Sequence, residues 1–296
     1  MANVENNLEM RLLAVSDFDN GYPRDLTRRI RREKPDAILA CGDFCYGAEI
    51  RKVMFANYTS DTEWYDAVGR KKAAQLMLES ARRGNLVLQR LNSVGVLVFI
   101  VYGNHDKTGT ESKRKGIWSM YKKDLFRSFV KQYDNVNDID LGKVEFGGYT
   151  IIGYGKNNSA PEVPQYEVQR KDLTKRDLAG KKKTYHRYLS VLAELFKNED
   201  PRRVIFISHN VPFRTKLDKI TDITAPKVVQ GRHFGSMVAR KICKHYAPLL
   251  CVGGHMHEHQ GIDRIGKTIC VNDGPGAEGN YAIINIMNGK VRVRLK

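Results

Sequence analysis

The chain has 296 residues, of which 42% are hydrophobic, and this composition suffices for the buried core of one large domain. No run of about 18 apolar residues occurs, which argues against a membrane span, and the N-terminus lacks the regions of a secretory signal. The formal net charge of +17 favours polyanionic substrates or partners, a nucleic acid among them, with a solvated basic surface as the alternative. Five scattered cysteines predict buried free thiols in a reducing, cytoplasmic setting.

Strand and helix patterns alternate along the first third of the chain. "MRLLAVSD" predicts a buried strand and "AILACGD" a second one, and the segment between them predicts a helix. In that helix Pro23 suits an early position, and Leu26 and Ile30 share one face. This order predicts a βαβ unit with parallel strands and a right-handed crossover. A further helical segment is predicted from about Glu63 to Leu91.

The remaining apolar runs predict more buried strands of the same kind. They are "VGVLVFIVYGNHD", "YTIIGYG", "RRVIFISHN" and "APLLCVGGHMHEH", followed by "KTICVNDGPG", "NYAIINIMNG" and "KVRVRLK" with Gly-rich turns. Two strongly basic insertions, near 107–131 and 165–197, are predicted to form loops or helices on the outside. No internal repeat or long linker divides the chain, so residues 1–296 are predicted to form a single domain.

Five of the apolar runs end in side chains that bind metals. The endings "SDFD", "CGDF", "YGNHD", "SHN" and "GGHMHEH" supply Asp17, Asp19, Asp43, Asn104, His105, Asp106, His209, His255 and His257. Functional groups gather at the carboxyl ends of parallel strands, and carboxylates and imidazoles are ligands of hard and borderline divalent metals. Turn chemistry explains one such ending, but five together indicate a metal site.

In their order and their residue types, these endings resemble the motifs of the calcineurin-like metallophosphoesterases of prokaryotic type. The pattern of that family is D-x-H, G-D, G-N-H-D or E, a lone His, and G-H-x-H, and the resemblance runs from Arg11 to about Ile286. It implies an α/β fold in which two mixed β-sheets pack as a sandwich with flanking helices. It also implies hydrolysis of a phosphoester by a water that a two-metal centre activates, without a covalent enzyme intermediate.

The resemblance further implies a role for each matching residue. Metal-binding roles fall on Asp17, Asp43, Asn104, His209, His255 and His257. Asp43 would bridge the two ions, Asp17 and His257 would bind the first ion, and the other three would bind the second. His105 would contact the phosphate and protonate the leaving oxygen, while Asp106 would orient its imidazole.

Asp19 departs from the family pattern, which usually has histidine at this position. An aspartate there adds a negative charge and a hard oxygen ligand, so the site is expected to prefer hard ions. Two divalent ions are therefore predicted, with Mn²⁺ the first choice and Mg²⁺, Fe, Ni²⁺ or Zn²⁺ as alternatives. The other interpretation is that Asp19 faces solvent and the first ion binds weakly.

The identity of the substrate is predicted only as a class. The basic insertions favour a phosphodiester or a nucleotide, and the alternatives are a phosphomonoester, a nuclease activity on DNA or RNA, or a catalytically weakened metal-binding scaffold. His233 and His259 are candidates for substrate contacts, and for each of them a position at the surface or rim is the alternative.

Overall fold

Two six-stranded sheets form the centre of the molecule, which a computed structural model describes over residues 9–19, 21–45, 48–57, 64–106, 125–155, 174–223, 227 and 229–296. In chain order the strands are β1 (Glu9–Val15), β2 (Ala37–Ala40), β3 (Leu97–Ile100), β4 (Val136–Asp138), β5 (Lys143–Phe146), β6 (Tyr149–Tyr154), β7 (Val204–Asn210), β8 (Leu250–Gly254), β9 (Gly261–Ile265), β10 (Thr268–Asn272), β11 (Ala282–Met287) and β12 (Lys290–Leu295). The helices are α1 (Leu26–Glu33), α2 (Ala48–Ala56), α3 (Trp64–Ala67), α4 (Arg70–Asn92), α5 (Leu125–Val130), α6 (Lys175–Phe196) and α7 (Met237–Tyr246).

Both sheets are mixed, as predicted. The first has the order β12-β11-β1-β2-β3-β4, in which β1 to β4 are parallel and β11 and β12 are antiparallel. The second has the order β5-β6-β7-β8-β10-β9, with four parallel strands between the antiparallel edge strands β5 and β9. The predicted βαβ unit is β1–α1–β2, whose strands pair in parallel.

The alternation of side chains along β1 explains the layers. Leu12 and Ala14 belong to the core between the two sheets, where they join Ile207 and Val252 of the second sheet. The intervening residues of β1 point to the opposite face, and there they pack with residues of α1 and α4. A third core lies between the second sheet and helices α6 and α7. The fold is therefore the predicted sandwich of two sheets with flanking helices.

Two helix boundaries differ from the prediction. Helix α1 begins at Leu26 because Pro23 lies in the preceding turn, where its carbonyl accepts the N–H of Leu26 at 3.1 Å. The helix predicted up to Leu91 is divided within the described residues into α3 and α4, since Gly69 precedes α4 with φ +82°.

Parts of the basic insertions, 107–124 and 165–173, lie outside the described residues, and their described remainders include α5 and α6. Among the described helices, none combines the length and apolar character that crossing a bilayer requires. All five cysteines are free and buried, as predicted.

Candidate metal centre

The ends of five strands from both sheets meet at one edge of the sandwich. Asp17 follows β1, Asp43 follows β2, and the backbones of these two turns are joined by the N–H of Asp17, which donates to the carbonyl of Gly42 at 3.0 Å. The second sheet joins them through His255, which follows β8 and donates its backbone N–H to Asp17 Oδ2 at 2.7 Å. The parallel arrangement therefore brings residues from distant parts of the sequence into one site.

Three residues of this edge adopt left-handed backbone conformations, although none of them is glycine. The φ angles are +56° at Asp17, +54° at Asp43 and +67° at His255. A non-glycine residue in this region costs about 1–3 kcal/mol, and such strain persists where the surrounding structure enforces it. The neighbouring glycine Gly103 permits a close approach, because a Cβ there would overlap the carboxylate of Asp43.

His209 faces two oxygen atoms with one ring nitrogen. Its Nδ1 lies 2.8 Å from the carbonyl of Cys41, and because a carbonyl only accepts, Nδ1 carries a proton. Its Nε2 lies 2.9 Å from Oδ1 of Asn104 and 3.3 Å from Oδ2 of Asp43. The ring of His255 lies 5.0 Å from the ring of His209, centroid to centroid. The contact with the Cys41 carbonyl thus orients the His209 ring so that Nε2 points at the other potential metal ligands.

A second group of side chains surrounds His257. Its Nε2 lies 3.2 Å from Oδ1 of Asp17 and 3.7 Å from Oδ2 of Asp19. Asp19 is buried, with 4% of its surface exposed, so the interpretation in which it faces solvent does not match this structure. Asp17 is also buried, and the His257 side chain is partly exposed.

Asp43 lies in two clusters of potential metal ligands. Ligand atoms of Asp43, His209 and His255 all lie within 4.8 Å of one another, and so do those of Asp19, Asp43 and His105. Burial disfavours ionisation of Asp43, but the charges of His209 and His105 outweigh it and keep the pKa of Asp43 below its ordinary value. Asp43 is therefore a buried carboxylate at the junction of two donor clusters.

The electrostatics of these clusters fit divalent cations. Burial opposes a charged His209, yet the Asp43 carboxylate outweighs it and raises the pKa of His209 to about 10. Burial and the charge of His209 lower the pKa of His255 to about 3. His209 is thus the imidazolium that balances Asp43, and a cation at this position would take over that role. Buried carboxylates with neutral imidazoles make a donor set for Mn²⁺, Fe or Zn²⁺.

His105 and Asp106 lie beside Asp43 in the turn after β3. The backbone N–H of His105 donates to Asp43 Oδ1 at 2.8 Å, and its Nε2 lies 3.9 Å from Asp43 Oδ2. Asp106 accepts the backbone N–H groups of Cys45 and Gly103, each at 2.8 Å. Burial and the charge of Asp43 raise the pKa of Asp106 to about 7. Asp106 therefore links the turns that follow β2 and β3, and its orientation of the His105 ring stays a prediction.

His233 and His259 lie in contact with the segment of residues 212–223 beside the site. His233 Nδ1 contacts Oδ1 of Asp218 at 2.8 Å, and Asp218 is fully buried. Nε2 of His259 contacts the carbonyl of Lys219 and lies 3.4 Å from Oγ1 of Thr221. These contacts place both histidines outside the two clusters that share Asp43, and their roles toward a substrate remain predictions.

Three polar residues near the clusters were not among the predicted site residues. Ser16, Asn272 and Asp273 are all fully buried, and Ser16 Oγ lies 2.5 Å from Oδ2 of Asp17. A sequence signal for two of them exists, because the strand "KTICVND" also ends in polar residues, like the five strands already noted.

Comparison with known proteins identifies the family of this chain and proteins that are similar to it. A profile of the calcineurin-like phosphoesterase family matches residues 10–259. A protein of Methanocaldococcus jannaschii, named uncharacterized protein MJ1162, is 25% identical over 168 residues. That alignment covers 54% of this chain and 61% of the archaeal protein, so the chain spans less than two thirds of that curated relative.

Solved structures share the fold at low sequence identity. The crystal structure of the protein TT1561 of Thermus thermophilus is 14% identical, with a TM-score of 0.52, and 96% of this chain and 98% of that chain are covered. Purple acid phosphatase PPD1 from yellow lupin (Lupinus luteus) seeds is 12% identical, with a TM-score of 0.53. That likeness covers 97% of this chain and 51% of the plant enzyme. At such identities the likeness concerns the fold alone.

Proposed function

The chain belongs to the calcineurin-like phosphoesterase family, and from this membership and the site geometry we propose that it is a metal-dependent phosphoesterase. The observation that carries the proposal is the position of Asp43, which is common to two clusters of buried carboxylates and histidines. The family typically uses a dinuclear metal centre, and a residue shared by two clusters suits a ligand that bridges two ions. The reaction is hydrolysis of a phosphoester by water.

The proposed ligands divide between the two ions according to their contacts. Asp17, Asp19 and His257 would hold the first ion, and Asn104, His209 and His255 would hold the second, with Asp43 common to both. Two divalent ions bound there would polarise the phosphoryl oxygens and lower the pKa of a water that serves as the nucleophile.

The chain's own residues would provide the proton for the leaving group. The imidazole of His105 has 22% of its side-chain surface exposed, so it can reach a substrate while its backbone N–H is fixed to Asp43. Proton donation to the leaving oxygen is its proposed role. We propose that the buried Asp106 orients it and that His233 and His259 contact the substrate.

For the substrate we propose a phosphodiester or a nucleotide. The support is the net charge of +17, since a basic surface attracts polyanions over long distances. A phosphomonoester is the first alternative. A nuclease would bind unrelated polynucleotides with a steep dependence on salt, and a scaffold would bind metal without turnover. The free, buried thiols support our proposal of a reducing, cytoplasmic setting.

Metal-stripped protein is expected to leave bis(p-nitrophenyl) phosphate and p-nitrophenyl phosphate intact, and added Mn²⁺ is expected to restore cleavage. The reason is that the nucleophile and the leaving oxygen both need the positive charge that two ions supply. Release of nitrophenol with Mn²⁺, Mg²⁺, Ni²⁺ or Zn²⁺ measures the preference among metals. Faster cleavage of the diester supports our choice of substrate class.

Three results of this assay would each contradict a different part of the proposal. Cleavage that persists in excess chelator contradicts a metal-dependent mechanism. A strong preference for Zn²⁺ contradicts the argument that Asp19 adds a hard oxygen ligand. Metal binding without cleavage of either ester, or of any nucleotide tested, favours the scaffold.

Metal affinity is expected to rise with pH around neutrality. His209, with a pKa of about 10, holds a proton on Nε2 at neutral pH in the metal-free protein, and that proton must leave before Nε2 can bind a metal. His255, with a pKa of about 3, is already neutral. One released proton raises the apparent affinity about tenfold per pH unit. Titration calorimetry in buffers of different ionisation enthalpy measures the release, and an affinity independent of pH contradicts the assignment of His209.

A further inference from the structure

The end of β10 and the turn that follows it contact residues adjacent to proposed ligands after both β1 and β8. Asp273 Oδ1 lies 2.6 Å from Ser16 Oγ, and Ser16 Oγ lies 2.5 Å from Oδ2 of Asp17. Asn272 Nδ2 donates to the carbonyl of Met256 at 2.8 Å, and Met256 lies between His255 and His257 in the chain. Two adjacent residues thus contact the residue that precedes Asp17 and the residue between His255 and His257.

The backbone of Asp273 is fixed to β8, the strand that precedes His255. The N–H of Asp273 donates to the carbonyl of Gly253 at 3.0 Å, and the carbonyl of Asp273 accepts Nε2 of Gln260 at 3.0 Å. The end of β8 packs tightly against the turn after β1, because a Cβ on Gly254 would overlap Ser16 and Asp17. The turn therefore has a fixed position relative to the site.

The contacts of Ser16 require a proton on one of its two carboxyl neighbours. A serine hydroxyl carries one proton, and an ionised carboxylate only accepts hydrogen bonds. Both O···O distances are those of hydrogen bonds, so Ser16 donates to one carboxyl group and accepts from the other.

Asp273 is the neighbour that holds this proton. Asp17 Oδ2 already accepts the backbone N–H of His255, and Asp17 Oδ1 faces Nε2 of His257. Both contacts favour the charged form of the Asp17 carboxylate. Asp273 is fully buried, and its side-chain hydrogen-bond partners, Ser16 and the thiol of Cys41, carry no positive charge. Burial, together with the charge of Asp17, raises the pKa of Asp273 well above its ordinary value.

We propose that Asp273 and Asn272 are positioning residues of the metal centre. Asp273, as a neutral acid, donates to Ser16, whose hydroxyl donates to Oδ2 of Asp17, so that Oδ1 of Asp17 would be the oxygen that remains to hold the first ion. Asn272 fixes the Met256 carbonyl and with it the turn that carries His255 and His257. This inference rests on the proposed function, and it adds residues that act through the ligands rather than on the substrate.

A reciprocal pair of isosteric substitutions tests the inference. Asp273→Asn keeps a donor toward Ser16 and adds no charge, so the affinity for Mn²⁺ is expected to equal that of the unmodified protein. Asn272→Asp replaces the donor that contacts Met256 by a carboxylate, and Asp273→Ala and Ser16→Ala break the chain of hydrogen bonds. Each of these three is expected to weaken Mn²⁺ binding about 10–100-fold, measured by calorimetry on metal-stripped protein.

The exposed substitution Ser190→Ala serves as the matched control, and thermal unfolding of each metal-free variant separates loss of folding from loss of affinity. An Asp273→Asn variant that binds Mn²⁺ as weakly as Asp273→Ala overturns the neutral-acid role, even if Asn272→Asp does not fold. Equal affinity in all variants overturns the inference and leaves the proposed function intact. Unmodified protein that binds no metal overturns both.

Discussion

Asp43→Asn is expected to abolish binding of both metals and, with it, hydrolysis. Asp43 is common to the cluster with His209 and His255 and to the cluster with Asp19 and His105, so one substitution affects both. Loss of residues that merely support ligands costs about 10–100-fold in metal affinity, and loss of a shared ligand should exceed that range. Metal content by elemental analysis and release of nitrophenol measure the two effects.

Asparagine at this position preserves much of the local structure. Its side-chain oxygen can still accept the N–H of His105, which donates to Oδ1 of Asp43 at 2.8 Å. Asp25→Asn is the matched control, because Asp25 is about half exposed and pairs with Arg29 at the surface. An Asp43→Asn variant that retains both ions and full activity contradicts the proposal of a bridging ligand, whereas loss of one ion alone assigns Asp43 to a single site.

The position of the site was predictable because its signals are local. Each predicted residue stands at the end of an apolar run, and the length of a run together with its polar ending defines a strand end. The parallel order then places such endings at one edge, which is where Asp17, Asp43 and His255 lie. What the sequence could not supply is how closely the two sheets approach at this edge, because the contact between them joins His255 to Asp17 across 238 positions.

The supporting residues were missed for the same reason. Asp273 contacts Ser16 across a separation of 257 residues, and no periodic pattern reports such a contact. The short strands β4, β5 and β9 were missed as well. They have three to five residues and are partly exposed, so their apolar signal is weak. The division between α3 and α4 depends on the backbone at Gly69, which composition alone does not determine.

The case of Asp19 shows how structure separates two interpretations of one residue. From sequence alone it was either a ligand in place of histidine or an exposed residue. Its burial and the 3.7 Å distance from its Oδ2 to Nε2 of His257 support the first, because a buried carboxylate needs a compensating charge. The same contact explains why aspartate can stand where the family usually has histidine, since the Asp19 side chain reaches His257 from the turn after β1.

His105→Ala is expected to keep both metals and to slow hydrolysis, most of all for substrates with poor leaving groups. The imidazole contacts Asp43 at 3.9 Å, while its backbone N–H, which the substitution retains, makes the shorter contact. A general acid contributes about 10²–10⁴-fold, and this factor applies when the leaving alkoxide needs a proton. Nitrophenolate leaves without one, so kcat should fall far more for an alkyl ester than for the nitrophenyl ester. The exposed His245→Ala is the matched control, and an equal loss for both esters contradicts the role of His105 as the acid.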